Sequence, residues 1–250
     1  MRPSYSSSVA QQGATLIVVM VLLVIITLMG TWAIRGSITS LNIAANAQAH
    51  ALLQQTSDAV FFALENQTSD DLILSNMQIG DGMLAYVLRP ENVGKELVFC
   101  IRGGESNILE GSRNASVVYW DGNSIQNTEQ GTGGFCRTTR TADFISSRAA
   151  VLTRVAVRAG MSGIDWEHLL EGDDKESSKQ QIQRVVVSVT SLIPNLSKAS
   201  ATDINACISN YTSFKDPVVN NKTVTDCLGE KNVPYNTQEM MYTLRPVNAS

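Results

Sequence analysis

The residues with chemistry to offer are few: four cysteines, two histidines, and short clusters of arginine and carboxylate in a chain of 250 residues. Cys100, Cys136, Cys207 and Cys227 form no CxxC pair, which argues against a zinc ribbon and a thioredoxin-type redox site. All four follow a long apolar segment. An even number on one side of a membrane fits two disulfides in an oxidising compartment, the alternative being buried free thiols in a cytosolic domain. Three pairings are open. The sequence-local one, Cys100 with Cys136 and Cys207 with Cys227, is favoured; each bridge would stabilise by about 3 to 4 kcal/mol in the chain-entropy model. His50 and His168 lie in no HExxH and beside no second ligand-type residue at metal spacing, so both read as structural. GxSxG, Walker and GxGxxG sequences are absent. The group Asp173, Asp174 and Glu176 has the oxygen ligands Ca²⁺ takes, but without EF-hand spacing it reads as a solvated loop. Arg137, Arg140, Arg148, Arg154 and Arg158 gather positive charge and read as a solvated face. The net charge of −4 and pI near 5.2 exclude the basic surface that nucleic acid requires. Asn-x-Ser/Thr triplets such as Asn114-Ala115-Ser116 are expected by chance in so polar a composition. No catalytic residue, metal site or cofactor is expected.

The elements around these residues are more telling than the residues themselves. Residues 14 to 34, ATLIVVMVLLVIITLMGTWAI, run for 21 positions without a charge. As a helix they span roughly 31 Å, the thickness of a bilayer's hydrocarbon core. A short polar segment with one charge, Arg2, precedes them, and Arg35 follows. The run is too long for the apolar part of a cleaved signal peptide and has no turn signal after it. Beyond Arg35 the pattern becomes amphipathic: Ile34, Ile38, Leu41, Ala45, Ala49, Leu52, Val60 and Ala63 recur mostly at steps of three and four. The other face carries Ser40, Asn42, Gln48, Gln54, Gln55 and Asp58. Proline is absent between Pro3 and Pro90. One helix is therefore expected over residues 14 to 65, ended by the turn-formers Asn66-Gln67-Thr68-Ser69-Asp70-Asp71. Its second half lacks the charged heptad flanks of a coiled coil, so it is expected to pack on the chain's own sheet.

From residue 83 the period shifts to two. Strands are expected at 83 to 88, 96 to 101, 116 to 120, 150 to 158 and 183 to 193, and a last one at 240 to 246. Asp121-Gly122-Asn123 reads as a tight turn and Gly131 to Gly134 as a loop. Residues 160 to 181 read as a surface excursion with one helical turn near Trp166 to Leu170.

The sequence Gln11-Gln12-Gly13-Ala14-Thr15-Leu16-Ile17, set directly before the apolar run, resembles a prepilin-peptidase site. Over residues 8 to 65 the chain resembles the PilX family of type IV pilus minor pilins, with a looser fit at the strands 150 to 158 and 183 to 193. The resemblance implies an α+β, pilin-like fold in which a long N-terminal α-helix packs on an antiparallel β-sheet head. It implies a leader at 1–13, a membrane and filament-core half of the helix at 14–34, an amphipathic periplasmic half at 35–65, and a head at 66–250 with a C-terminal cysteine loop. It further implies cutting after Gly13 and methylation of the new Ala14 amine. Its partners would be a prepilin peptidase, the inner membrane, the major pilin and other minor pilins; its places, the inner membrane and then the pilus. Val18, the fifth residue from Ala14, departs from the pattern, because most pilins have Glu there. The role implied is therefore assembly initiation or the tip complex. A K-type minor pseudopilin of type II secretion and a membrane-anchored adhesin are the alternatives.

Overall fold

The computed structural model describes residues 12–103, 108–145, 148–160, 183–216 and 221–244. The excursion beyond Gly160, with His168 and the Asp173, Asp174 and Glu176 group, lies outside them. The chain divides into two compact units, Met1–Gln48 and Ala49–Ser250. Helix α1, Gln12–Thr68, belongs to both, starting two residues before and ending three after the expected bounds. In the first unit every described side chain, from Thr15 to Gln48, is exposed.

In the second unit the end of α1 buries Leu53, Ser57, Val60, Phe61 and Leu64, spaced at three and four as one helix face demands. This corrects the expected stripe. Ile34, Ile38, Leu41 and Leu52 are exposed, and Leu53, not Leu52, fills the space beside Val151 and Ile193. Ser57 turns inward because it has a partner, donating to Leu53 O at 3.2 Å and bonding Ser191 at 3.0 Å. The expected polar residues Gln54, Gln55 and Asp58 do face solvent. Thr68 and Ser69 close the helix by donating to the carbonyls of Leu64 and Asn66 at 2.9 and 2.6 Å. Asp70 then caps α2, Asp71–Gln78, accepting from Leu72 N–H at 2.9 Å.

Residues expected as a first strand instead form α3, Met83–Val87. The reason lies just before it. A Cβ on Gly82 would sit 2.3 Å from the Met77 carbonyl oxygen, so only glycine lets the chain reverse there. Met83, Leu84 and Val87 then bury one helical face, and packing overrides β-propensity.

The strands are β1 (Glu96–Ile101), β2 (Ser116–Asp121), β3 (Ser124–Gln126), β4 (Leu152–Ala159), β5 (Gln183–Leu192) and β6 (Tyr235–Leu244), with α4, Ile108–Arg113, between β1 and β2. They form one antiparallel sheet in the order β3-β2-β1-β4-β5-β6. The expected turn is the β2–β3 hairpin, with Asp121 opposite Ser124 and Gly122 at φ +58°. Strand β6 begins five residues earlier than expected. Strands β4 and β5 alternate as the sequence suggested, yet both their faces are covered. On one face Val155, Val157, Val185, Val187 and Val189 meet Val60, Phe61 and Leu64 of α1. On the other, Leu152 and Leu192 meet Ile204, Ile208 and Leu228. Those three belong to α5, Ala201–Ser209, and α6, Val224–Glu230, where the sequence suggested a cysteine loop.

Candidate functional site

Two sets of residues carried functional expectations: the start of α1 and the cysteines of the head. The backbone at Gly13 and Ala14 is in the first turn of α1. The cutting that the resemblance implies would need this bond extended and that turn opened, and glycine would ease the opening by about 1 kcal/mol against alanine. Val18 is 61% exposed, in an unbroken row of exposed apolar side chains from Leu16 to Ile26. The hydroxyls of Thr27 and Thr31 donate within the helix to Val24 O and Leu28 O, each at 2.9 Å. Polar groups satisfied in this way suit a surround without water. Trp32 is 83% exposed, three residues before Arg35. Among the described residues α1 is the one helix long and apolar enough to cross a membrane. His50 lies on the exposed surface of α1.

The structure joins Cys100 to Cys136 and Cys207 to Cys227. The first bridge ties β1 to the loop after β3. Beside it the carboxylate of Asp143, fully buried, accepts from Arg102 Nε at 2.8 Å and from the Arg137 backbone N–H at 3.0 Å. The second bridge links α5 to α6. Both helices start on side-chain caps: Ser200 accepts from Asp203 N–H at 3.1 Å, and Thr223 with Asp226 forms a capping box. These bonds hold the Asp203 and Asp226 carboxyls below the usual range, Asp203 chiefly through the Ser200 hydroxyl and Asp226 chiefly through the Thr223 backbone N–H. A signal for both helices was present in the sequence. Ser200 and Thr223 each stand three residues before Asp, and Ile204, Cys207, Ile208 and Val224, Cys227, Leu228 follow at helical spacing.

The five arginines do not form a common solvated face. Arg137, Arg140 and Arg148 are exposed, but Arg154 is 1% exposed. Its Nη2 meets Glu96 Oε2 at 3.3 Å and donates to Tyr211 O at 3.1 Å, while Nε donates to Ile208 O at 3.1 Å. Glu96, equally buried, accepts in addition from the Ser213 backbone N–H at 2.9 Å and from the Ser213 hydroxyl. Burial holds the Arg154 pKa below its ordinary value, and Glu96 offsets only part of that. A lone buried charge is costly, so pairing, three peptide partners and the Ser213 hydroxyl explain how the ion pair is tolerated. It fastens the α5–α6 segment to β1 and β4. Sequence reasoning missed Glu96 entirely; an acidic residue opening an otherwise apolar strand was the available hint. Arg158 is half-buried, 3.3 Å from Glu239 and stacked over Phe214. No family model, curated protein or solved structure matches the chain.

Proposed function

We propose that this chain is a subunit of a type IV filament system, a minor pilin resembling the PilX family. It is made as a precursor, held in the inner membrane by α1 with its head in the periplasm, and cut after Gly13. The observation that carries the reading is the division of labour within α1. Residues 15 to 34 are uncharged, mostly apolar and exposed throughout, while Leu53 to Leu64 bury their inner face on an antiparallel sheet. An uncharged helix without cover needs hydrocarbon or other helices around it. Filament subunits meet both in turn, first the bilayer and then the filament core. The two disulfides agree with a periplasmic head, and Trp32 beside Arg35 suits the bilayer's interface.

Val18 narrows the role. A carboxylate at the fifth mature position would be costly in hydrocarbon unless paired, and in the family it is matched by the N-terminal amine of a subunit already in place. With Val18 the chain has nothing for such an amine to neutralise. Its own Ala14 amine remains available to the Glu of the next subunit. A subunit that receives but does not offer belongs at the start of an assembly, hence at the tip. The test is fluorescent labelling of the head along sheared filaments, for the wild type and for Val18→Glu. The reading expects wild-type label confined to filament ends and Val18→Glu label entering the shaft. Wild-type label along the whole fibre would sink it.

A further inference from the structure

The two margins of the sheet are unequal. One is β3, three residues at the end of a hairpin. The other is β6, ten residues paired with β5 from Leu192↔Tyr235 to Gln183↔Leu244 without a break in register. Among the described residues no strand lies beyond it. In an antiparallel strand alternate residues turn N–H and C=O outward, so β6 presents a row of unpaired backbone groups. Long edges are usually blunted by lysine, proline or a bulge. The strand reads YNTQEMMYTL: it has no lysine, proline or bulge, and one charged residue, Glu239, in its ten. At its middle Glu239, Met240 and Met241 are exposed.

Beside this edge lies an open groove of about 580 Å³, lined from α1 by Asp58, Phe61, Phe62 and Glu65 and from β6 by Gln238, Glu239 and Met240. Phe62 is 73% exposed. Asp58 and Glu65 flank it at four residues before and three after, which is the same helix face. Both carboxylates are aimed by the strand: Gln238 Nε2 donates to Asp58 Oδ1 at 2.8 Å and the Tyr242 hydroxyl to Glu65 Oε1 at 3.4 Å. Burial and then Glu65 push Tyr242 up to about 12, so it stays a donor.

Among the described residues, charge on the α1 side of this margin has one sign. No Lys or Arg occurs between Arg35 and Arg89, and none within β6. The guanidiniums nearest in register, Arg158 and Arg184, belong to the opposite face. Arg158 bonds Glu239 there, and Arg184 stands across from Thr243.

We propose that this margin binds an extended segment of another protein, added beside β6 as a further strand whose side chains on the α1 face, every second residue, are apolar and basic in turn. Backbone pairing supplies attachment and the groove supplies selection. Apolar side chains cover Phe62 and Met240, and basic ones meet Asp58 and Glu65. A second copy of this chain is the poorer occupant, because β6 against β6 brings the same carboxylates together. The inference rests on the head alone and does not depend on the filament reading.

The test uses the full chain in non-ionic detergent at low salt. Three peptides of about ten residues are compared, a length that matches a strand: one with Thr at every second position and Val and Lys in turn between (Val/Lys), the same with Glu for Lys (Val/Glu), and the Val/Lys peptide with a central proline. Binding is read by fluorescence anisotropy, and its place by amide hydrogen exchange. The Val/Lys peptide should slow exchange in β6 and bind about fivefold more tightly than the Val/Glu peptide, the scale of two exposed ion pairs. The proline should abolish binding. The double variant Asp58→Lys, Glu65→Lys, altered only at exposed positions, should invert the preference. Equal affinity for the two charge types, no binding, protection outside β6, indifference to the proline, or self-association that protects β6 without peptide would each overturn the proposal.

Discussion

Residues 15 to 48 and residues 49 to 64 belong to one helix, yet they answer the same problem differently. In the first stretch Leu16 to Ile26, Ile34, Ile38 and Leu41 all stay exposed; in the second Leu53, Val60, Phe61 and Leu64 disappear against β4 and β5. Hydrophobicity alone does not separate them, since both are rich in Val, Leu and Ile or Phe. What separates them is periodicity. The second stretch has polar residues such as Gln54, Gln55 and Asp58 on its outer side, so one face is marked for the chain's own sheet. In the first, residues 15 to 34 have apolar side chains on all sides, and no single sheet can cover a cylinder. The lesson is that α1's second half is a structural element of the head, whereas its first half is built for a surround supplied from outside the chain.

The comparison can be broken most completely by separating the two stretches. A chain beginning at Ala49 is expected to be a soluble monomer with both disulfides formed, while the full chain partitions into membranes. Cell fractionation with thiol labelling decides this, and a shortened chain that stays with membranes would erase the distinction. The next largest effects lie inside the head. Phe61→Ala should destabilise it by about 3 to 5 kcal/mol in denaturant titration, whereas Ile38→Ala should stay within about 0.5 kcal/mol. Arg154→Ala should cost a similar 3 to 5 kcal/mol by leaving Glu96 charged and unpaired. A milder loss from Arg154→Met together with Glu96→Gln would show that the penalty is the orphaned charge. Cys207→Ser should cost about 3 kcal/mol and expose α5 and α6 to protease before the sheet is attacked.

The smallest effect is at the caps. Thr223→Ala should cost about 1 kcal/mol. Because Asp203 and Asp226 have folded pKa values below their ordinary ones, their contribution is present above that ordinary value and lost as pH falls through the depressed one. Amide exchange in α5 and α6 should therefore rise below about pH 4, ahead of exchange in β4 and β5.

The long helix, strands β1, β2, β4 and β5 and the β2–β3 turn were legible because each rests on local pattern: an apolar run, alternation, an Asp-Gly-Asn turn. The misreadings arose where tertiary packing decides. Residues 83 to 88 have strand-like composition, and the reversal at Gly82 makes them a helix. The α5–α6 pair looked like loop because the stretch from Cys207 to Cys227 is rich in Asn, Ser, Thr and Asp, although Ser200 and Thr223 act as caps. Arg154 looked solvated because the Glu96 that pairs with it stands 58 residues away. The phase of the packed stripe, Leu53 rather than Leu52, depends on the cavity between Val151 and Ile193, which no helix pattern contains.

That the chain is a processed filament subunit is the central proposal. Mass spectrometry of the N-terminus, on protein purified from membranes of cells with an intact prepilin peptidase, tests this most directly. The account predicts a chain that starts at Ala14 with a methylated amine, and an uncut precursor when Gly13 is replaced by leucine. A membrane form that keeps Met1, or a Gly13→Leu form cut as efficiently as the wild type, would contradict it.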